Sequence, residues 1–129
     1  MGVGIMATGH GVGVTCDGGV LINTSRMRGV RVDPAARTAR VEPALWTNLV
    51  HEFQPHGLAG LMDSTSHVGV VGYTMGGGFG WLGRKYGFNA ASMRQADVVT
   101  ADGELMPVSA DEHPELFWGL GGGAATSGS

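Results

Sequence analysis

Two segments of the chain alternate apolar and charged side chains. Residues 30–33 and 39–42 do so on either side of the turn sequence Asp-Pro-Ala-Ala. A period of two residues is typical of antiparallel strands that have one solvated face. Residues 96–100 and 105–108 flank a second turn, which contains Asp-Gly, a strong hairpin signal. The pattern therefore predicts two β-hairpins.

Short apolar runs without alternation occupy the first part of the chain. Residues 2–6 are predicted to form a buried strand, and residues 12–15 a second extended segment. The Asp-Gly-Gly sequence that follows is a turn signal, so residues 20–23 are interpreted as a strand that returns along residues 12–15.

Residues 43–56 change to a helical period, with Pro43 suited to the helix start and Gly57 to its end. The apolar residues at helical spacing are Leu45, Leu49, Val50 and Phe53. The polar sequence DEHPE is predicted to begin a second short helix, which runs through residues 116–120. The predicted fold class is α+β, with mostly antiparallel β-hairpins and two short helices.

Residues 72–87, GYTMGGGFGWLGRKYG, interrupt these periodic segments with glycine. Glycine loses more conformational freedom on folding than any other residue, so such a run indicates a backbone that needs positive φ or a close approach. The interleaved aromatic residues require burial or a flat partner, which argues against a floppy linker. We therefore predict that this stretch forms a backbone-lined wall for a large, planar, phosphate-bearing ligand.

Composition narrows the class of protein further. The chain has 129 residues, 24 glycines, 43% hydrophobic residues and a net charge of −3, which gives no electrostatic case for nucleic acid or an anionic membrane. No apolar run has the ~20 residues of a membrane span, and no signal peptide is visible. A cytoplasmic location is the default expectation, although the single cysteine leaves the compartment undecided.

Three other kinds of site are not supported by the sequence. His51 and His56 are five residues apart, so they do not share a helix face as a metal-binding pair would, and we expect no metal site. Residues 63–67, DSTSH, contain the letters of a hydrolytic triad but no G-x-S-x-G elbow, and a polar loop is the better interpretation. The glycines follow neither the Rossmann nor the P-loop spacing.

Several motifs, in register over nearly the whole chain, carry a family resemblance. They are TGHGVGVTCDGGVLI, SRMRGVRVDPAARTARVEP and, above all, GGGFGWLGRKYG followed by ADVVTADG and DEHPELFW. This order of segments resembles the flavin domain of the berberine bridge enzyme-like FAD-linked oxidoreductases. The resemblance implies that residues 1–123 are a portion of a PCMH-type FAD-binding domain, and we expect residues 124–129 to be a flexible tail.

The resemblance implies an elongated FAD with its ring near a histidine in a glycine-rich loop. His10 matches the histidine that many family members join covalently to the flavin, and Gly9 and Gly11 leave room for the ring. Whether FAD is covalent here stays open. Some members add a cysteinyl link, but that place is occupied here by Thr65 or a neighbour, so no second link is expected.

The candidate cofactor-binding residues are Gly9, His10, Gly11, Gly69, Gly72, Gly76, Gly77, Gly78, Gly80, Val98 and Val99. Backbone N–H groups of the glycines would face phosphate or flavin oxygens. From the residues alone, these positions are explained equally well without a ligand. His10 would be a turn residue, the glycines would form tight turns, and Val98 and Val99 would be buried strand residues. No catalytic residue is assigned.

The family resemblance implies an oxidase-type reaction, in which hydride passes from a substrate C–H to flavin N5 and O₂ reoxidises the flavin. Family members are several times longer, so a small-molecule substrate is expected only if a substrate domain is supplied, and the isolated chain is expected to be inactive. The loop before His10 reads Met-Ala-Thr-Gly where the family has Arg-Gly-Gly-Gly, which weakens the case for diphosphate binding there. The alternative is a non-catalytic or degenerate nucleotide-binding or structural module. Substrate and oligomeric state stay undecided.

Overall fold

The computed structural model describes residues 1–11 and 15–122 of the chain. The described strands are β1 (Val3–Met6), β2 (Val20–Asn23), β3 (Val30–Asp33), β4 (Thr38–Val41), β5 (Gln95–Val99) and β6 (Leu105–Ser109). The described helices are α1 (Trp46–Phe53), α2 (Val70–Met75), α3 (Gly83–Tyr86) and α4 (Pro114–Leu120), with short 3-10 turns at Gln54–His56 and Asn89–Ser92. The predicted α+β class is confirmed.

The strands form three separate two-stranded sheets. Strands β3 and β4 pair antiparallel, with Val30 opposite Val41, and β5 pairs antiparallel with β6, with Val98 opposite Met106. Both hairpins predicted from the alternating pattern are therefore confirmed. An ion pair between Arg40 on β4 and Asp97 on β5 joins the two hairpins.

Strand β2 runs parallel to β1, with Val3 opposite Val20. The predicted pairing of β2 with residues 12–15 stays a prediction, because residues 12–14 lie outside the described residues. The predicted turn is present, since the Gly19 N–H donates to the Cys16 carbonyl at 3.0 Å, but a turn fixes only local geometry. The Val20 N–H then bonds to the Gly2 carbonyl at 3.0 Å, which aligns β2 with β1.

Helix α1 begins later than predicted, at Trp46 instead of Pro43. Leu45 has the extended backbone of an N-cap, and its N–H donates to the Asn48 side-chain oxygen at 3.1 Å. Because this contact satisfies a backbone donor at the start of the first turn, the helix begins after Leu45. The α-helix ends at Phe53, and a 3-10 turn continues it to Gly57, which ends the helical segment as predicted with a left-handed φ of 62°.

The core lies where α1 meets the segment before α2. Its buried residues are Ala44, Trp46, Leu49, Val68 and Val70. Two backbone bonds hold the segments together, from the Trp46 N–H to the Val68 carbonyl at 3.1 Å and from the Val70 N–H to the Ala44 carbonyl at 2.9 Å. Residues 63–67 form the predicted loop, where Ser66 contacts the adjacent His67 at 3.4 Å.

Two of the four described helices were not predicted, because α2 runs into the glycine-rich stretch and α3 lies inside it, where no apolar period is visible. Helix α2 nevertheless forms, since Gly69 supplies an extended N-cap and Val70 is buried in the core. Residues 123–129, which include the expected tail, lie outside the described residues. Within residues 1–11 and 15–122, none of the helices combines the length and apolar composition that crossing a bilayer requires.

Candidate functional site

One cavity of the described chain has a volume of about 920 Å³ and two walls. The first wall comes from β1, the loop after it and the start of β2, and comprises residues 2–11, 15–17, 19 and 21. The second wall comes from the segment before α2 and its first turn, and comprises Asp63, Val68, Gly69, Gly72 and Tyr73. The cavity thus joins segments that are far apart in the sequence.

His10 stands in the first wall between two glycines with left-handed backbone. The φ angles are 73° at Gly9 and 100° at Gly11, values that non-glycine residues rarely adopt. The His10 N–H donates to Oγ1 of Thr8 at 3.4 Å, and no atom of residues 1–11 and 15–122 lies within 4 Å of the place a Cβ would take on Gly11. The exposed imidazole is therefore carried on a tight loop with free space beside it.

Gly69 brings the second wall against the first. A Cβ atom at this position would stand 2.8 Å from Cγ2 of Thr8, so a larger residue here would require the Thr8 side chain to move. One turn into α2, Gly72 has no atom within 4 Å of a Cβ position. Gly72 therefore borders open space in the cavity, whereas Gly69 closes the contact between the walls.

Tyr73 and Asp63 add a phenol and a carboxylate to the second wall. The Tyr73 ring packs edge-on against Trp46, with centroids 5.7 Å apart. Its hydroxyl is buried and has no hydrogen-bond partner among the described residues. Burial raises the pKa of Tyr73, and the charge of Asp63 raises it further, so the phenol is held neutral.

Five predicted cofactor-binding residues meet at this cavity, namely Gly9, His10, Gly11, Gly69 and Gly72. The other six do not line it: Gly76, Gly77, Gly78, Gly80, Val98 and Val99. Val98 and Val99 lie on β5, where Val99 is exposed. The cofactor role of all eleven residues stays a prediction.

Local packing explains why the loop at residues 76–80 needs glycine. The φ angles of Gly77 and Gly78 are 100° and 63°. The Asn89 N–H donates to the Gly78 carbonyl at 2.7 Å, and the Ala90 N–H to the Gly77 carbonyl at 2.9 Å, which clamps the loop. Gly80 packs against the backbone of Met62. These contacts are structural, independent of any ligand.

The aromatic side chains of the glycine-rich stretch, which were expected to need burial or a flat partner, meet this expectation unequally. Trp81 is 80% exposed and Tyr86 55% exposed. Phe79 has a flat partner in Phe88, with ring centroids 5.3 Å apart, although both rings remain solvent-accessible. The glycine-rich stretch therefore contributes to the cavity only through Gly72 and Tyr73 of α2. Its remaining aromatic residues lie on the surface.

Sequence reasoning did not select Thr8, Cys16, Asp63 or Tyr73 as site residues, although all four line the cavity. Thr8 and Cys16 stand inside the TGHGVGVTCDGG motif, and Tyr73 directly follows Gly72, so proximity to the motifs was the available signal. The Cys16 thiol donates to the Val20 carbonyl at 3.3 Å. The polar loop of Asp63 carried no such signal.

The charges around the cavity are acidic. Its described lining contains Asp17 and Asp63 but neither lysine nor arginine. Among residues 1–11 and 15–122, no group of three or more His, Cys, Asp or Glu side chains is placed to hold a metal ion. The cavity is thus suited to an uncharged ring system, whose polar edges can meet backbone groups, His10 and Tyr73.

The α+β fold and the glycine-lined cavity are suited to a domain that holds a sizeable organic cofactor. Residues 2–109 match a protein family described as FAD binding domain, and the chain belongs to this family. The resemblance to berberine bridge enzyme-like FAD-linked oxidoreductases, and FAD as the cofactor, are thereby confirmed.

Three relatives illustrate the family. The chain is 35% identical to (R)-6-hydroxynicotine oxidase of Paenarthrobacter nicotinovorans over 115 residues, 88% of this chain and 25% of that protein. It superposes on the crystal structure of 6-hydroxy-D-nicotine oxidase from Arthrobacter nicotinovorans with a TM-score of 0.87 and 32% identity, covering 95% of this chain and 28% of the other.

The third relative is glucooligosaccharide oxidase from Acremonium strictum, described with a 6-S-cysteinyl, 8α-N1-histidyl FAD. Its structure matches with a TM-score of 0.83 and 29% identity, over 94% of this chain and 26% of that one. The chain therefore spans about a quarter of the length of the relatives that it matches.

Proposed function

We propose that this chain supplies the part of a flavin-dependent oxidoreductase that holds the ring of FAD, with His10 against the ring. One observation carries the proposal: His10, on its glycine-flanked loop, lines the same cavity as Gly69 and Gly72 of α2. Family membership identifies the cofactor. This juxtaposition supports the proposal that its ring is held between these two walls.

The residues present fit such a group. A volume of about 920 Å³ is at the upper end of the ~300–1,000 Å³ typical of cofactor pockets. Gly72 leaves its side of the cavity open, and Gly11 does the same beside the imidazole. Because the described lining carries no cationic side chain, an uncharged ring fits this cavity better than the diphosphate does.

The chain's own groups would have distinct roles. A neutral imidazole nitrogen of His10 is a competent nucleophile for a covalent link to the flavin, and the two glycines keep that nitrogen accessible. Tyr73, held neutral by burial, would shape the far wall without adding charge. No cysteinyl link is proposed, because Thr65 or a near neighbour occupies the matching position and no cysteine is near it in the sequence.

The six predicted residues outside the cavity are proposed to contact the remainder of the cofactor. FAD is longer than its ring, and the backbone N–H groups of Gly78 and Gly80 are of the kind that bind phosphate. Those of Gly76 and Gly77 already donate to the carbonyls of Gly72 and Thr74. Val98 and Val99 would make backbone contacts on the adenine side. The packing described above accounts for the glycines of this loop by itself, so these assignments rest on the family resemblance.

The reaction of the whole protein is likewise a proposal, because the chain spans about a quarter of its relatives. When bound, the flavin accepts hydride from a substrate C–H and is reoxidised by O₂. The described residues would orient and shield the ring, and the remaining polypeptide would hold a small-molecule substrate. The 129-residue chain alone is expected to bind flavin without turnover.

Reconstitution with FAD tests the proposal directly. The chain is expressed with FAD, desalted, precipitated in acid and examined for yellow flavin absorbance that stays with the protein. We expect the wild type and the His56→Ala control to retain flavin, and His10→Ala to lose it. His56 is a suitable control because it is an exposed histidine outside the cavity.

The outcomes separate the two parts of the proposal. Flavin that binds under native conditions but is released by acid supports the site and contradicts the covalent link. Equal retention by His10→Ala contradicts the role of His10. If flavin stays with the protein neither under native conditions nor after acid precipitation, the proposed function of this chain is contradicted.

A further inference from the structure

Asp63 carries a carboxylate that the packing of the described chain leaves without a partner. Its side chain is half-buried on the second wall of the cavity, which it shares with Gly69, Gly72 and Tyr73. Among residues 1–11 and 15–122, the carboxylate has neither an ion-pair nor a hydrogen-bond partner. Partial desolvation of a carboxylate costs free energy, and here no neighbouring cation offsets that cost.

The backbone on either side of Asp63 is anchored. The carbonyl of the preceding residue, Met62, packs against Gly80. At the other end of the loop, the Val68 carbonyl accepts a hydrogen bond from the Trp46 N–H at 3.1 Å, in the core. The short loop at residues 63–67 is therefore held at both ends, and the Asp63 side chain is held at the cavity.

The charge of Asp63 already acts on the wall that it shares with Tyr73. Burial, and after it the charge of Asp63, raises the pKa of the Tyr73 phenol. A charge that disfavours phenolate at this wall would disfavour any other negative charge that develops in the cavity. The remaining titratable side chains of the described lining are His10, Cys16 and Asp17, and this lining has no lysine or arginine that could neutralise Asp63.

We propose that the Asp63 carboxylate lowers the midpoint potential of the flavin held in this cavity. The inference rests on the proposed function, which puts the flavin ring between the two walls. A flavin ring gains negative charge on reduction, and protein charges near the ring tune that equilibrium. Repulsion in a partly desolvated cavity is less attenuated than in bulk water. Asp63 would therefore favour the oxidised cofactor and make the reduced one a stronger electron donor to O₂.

Midpoint potentials of three variants test this role. The chain is loaded with FAD, reduced stepwise with dithionite beside a reference dye, and followed by flavin absorbance. Asp63→Asn removes the charge with little change of shape, and Asp63→Glu keeps the charge. Asp17→Asn is the matched comparison, because Asp17 lines the same cavity but is exposed, so that solvent screens its charge.

We expect Asp63→Asn to shift the equilibrium about tenfold toward reduced flavin, which raises the two-electron midpoint potential by ~30 mV. Asp63→Glu should stay close to the wild type, and Asp17→Asn should give a smaller shift than Asp63→Asn. A second measurement uses the flavin-free chain with Tyr86→Phe, which leaves Tyr73 as the only tyrosine. There, Asp63→Asn should lower the pKa of Tyr73, measured by phenolate absorbance.

Several results would overturn the inference while the proposed function stands. An unchanged potential in Asp63→Asn would do so, as would equal shifts in Asp63→Asn and Asp17→Asn. Equal shifts in Asp63→Asn and Asp63→Glu would indicate packing instead of charge, and loss of flavin by Asp63→Asn would make the carboxylate a binding group.

The flavin-free measurement separates this inference from the proposed function. An unchanged Tyr73 titration in Asp63→Asn would show that the charge does not reach the second wall, and it would overturn the inference whether or not flavin binds. A wild-type chain that binds no FAD would instead contradict the proposed function, and the inference with it.

Discussion

Gly80 lies directly against the carbonyl oxygen of Met62, so closely that a Cβ atom at position 80 would overlap it. The contact joins the glycine-rich stretch to the loop that leads to Asp63 and the cavity. A backbone carbonyl cannot rotate away as a side chain can, so a residue larger than glycine would displace one of the two segments. The Tyr73 hydroxyl stands at the same point, 3.0 Å from the Cβ position.

We expect Gly80→Ala to lower the free energy of unfolding by about 2–3 kcal/mol, at the upper end of overpacking effects. Urea denaturation followed by tryptophan fluorescence measures the change. An unchanged denaturation midpoint would show that the loop relaxes around the methyl group.

Gly72→Ala is the matched comparison and should behave in the opposite way. Its Cβ would meet no atom within 4 Å, and alanine in a helix interior is more stable than glycine by about 0.5–1 kcal/mol. The same urea titration should therefore give an equal or higher midpoint. Destabilisation by this variant would mean that the space beside Gly72 is filled.

A larger side chain at Gly72 should affect flavin without unfolding the protein. Gly72→Leu places a branched group in the cavity, and we expect FAD affinity to fall at least tenfold in fluorescence-quenching titrations. Gly119→Leu is the control, because Gly119 lies on α4, outside the cavity, with similarly free space. Equal affinity in the two variants would place the flavin ring elsewhere.

The stability of the fold should fall in alkali because of Tyr73. Burial first and Asp63 second raise its pKa above the ordinary 10.0, so the folded chain keeps a proton that the unfolded chain releases. The contribution of protonated Tyr73 to the free energy of unfolding is complete below pH 10 and is lost as the pH rises through the pKa of Tyr73 in the folded chain. Urea midpoints compared at pH 9 and pH 11 should show a smaller drop for Tyr73→Phe than for the wild type.

The ion pair between Arg40 and Asp97 should contribute little, although it bridges two hairpins. Arg40 is 76% exposed at its side chain and Asp97 is 31% exposed, so solvent screens their attraction. A double-mutant cycle with Arg40→Gln and Asp97→Asn should give a coupling of about 0.2–1 kcal/mol that disappears in concentrated salt. A coupling that survives salt would indicate a packing role for the arginine stem.

The elements that could be predicted from sequence are those whose signal is local. The β3–β4 and β5–β6 hairpins follow from alternation on either side of a turn, within a few residues. The pairing of Val3 with Val20 depends on a partner distant in sequence, and the intervening turn signal suggested a different one. Helix α2 could not be predicted because glycine has a low helix propensity. The burial of Val70 outweighs the free-energy cost of placing glycine in the helix.

The same distinction applies to the site. His10 and Gly69 were selected because family motifs carry them, and the structure places both at one cavity. Asp63 and Tyr73 could not be selected, since their position in the wall depends on how α2 packs on Trp46. The glycines at residues 76–80 were assigned to the ligand, whereas contacts with Tyr73, Asn89 and Met62 already require glycine at positions 78 and 80.

The two-walled cavity has a consequence for the order in which the protein acquires its structure. A ligand that touches both walls acts as a reversible crosslink across the long segment between β2 and Asp63, and it stabilises only conformations in which that segment is closed. Bound flavin should therefore protect β3, β4 and α1 from proteolysis, although none of them touches the cavity. The cofactor would thus contribute to the folding of a region that it does not contact.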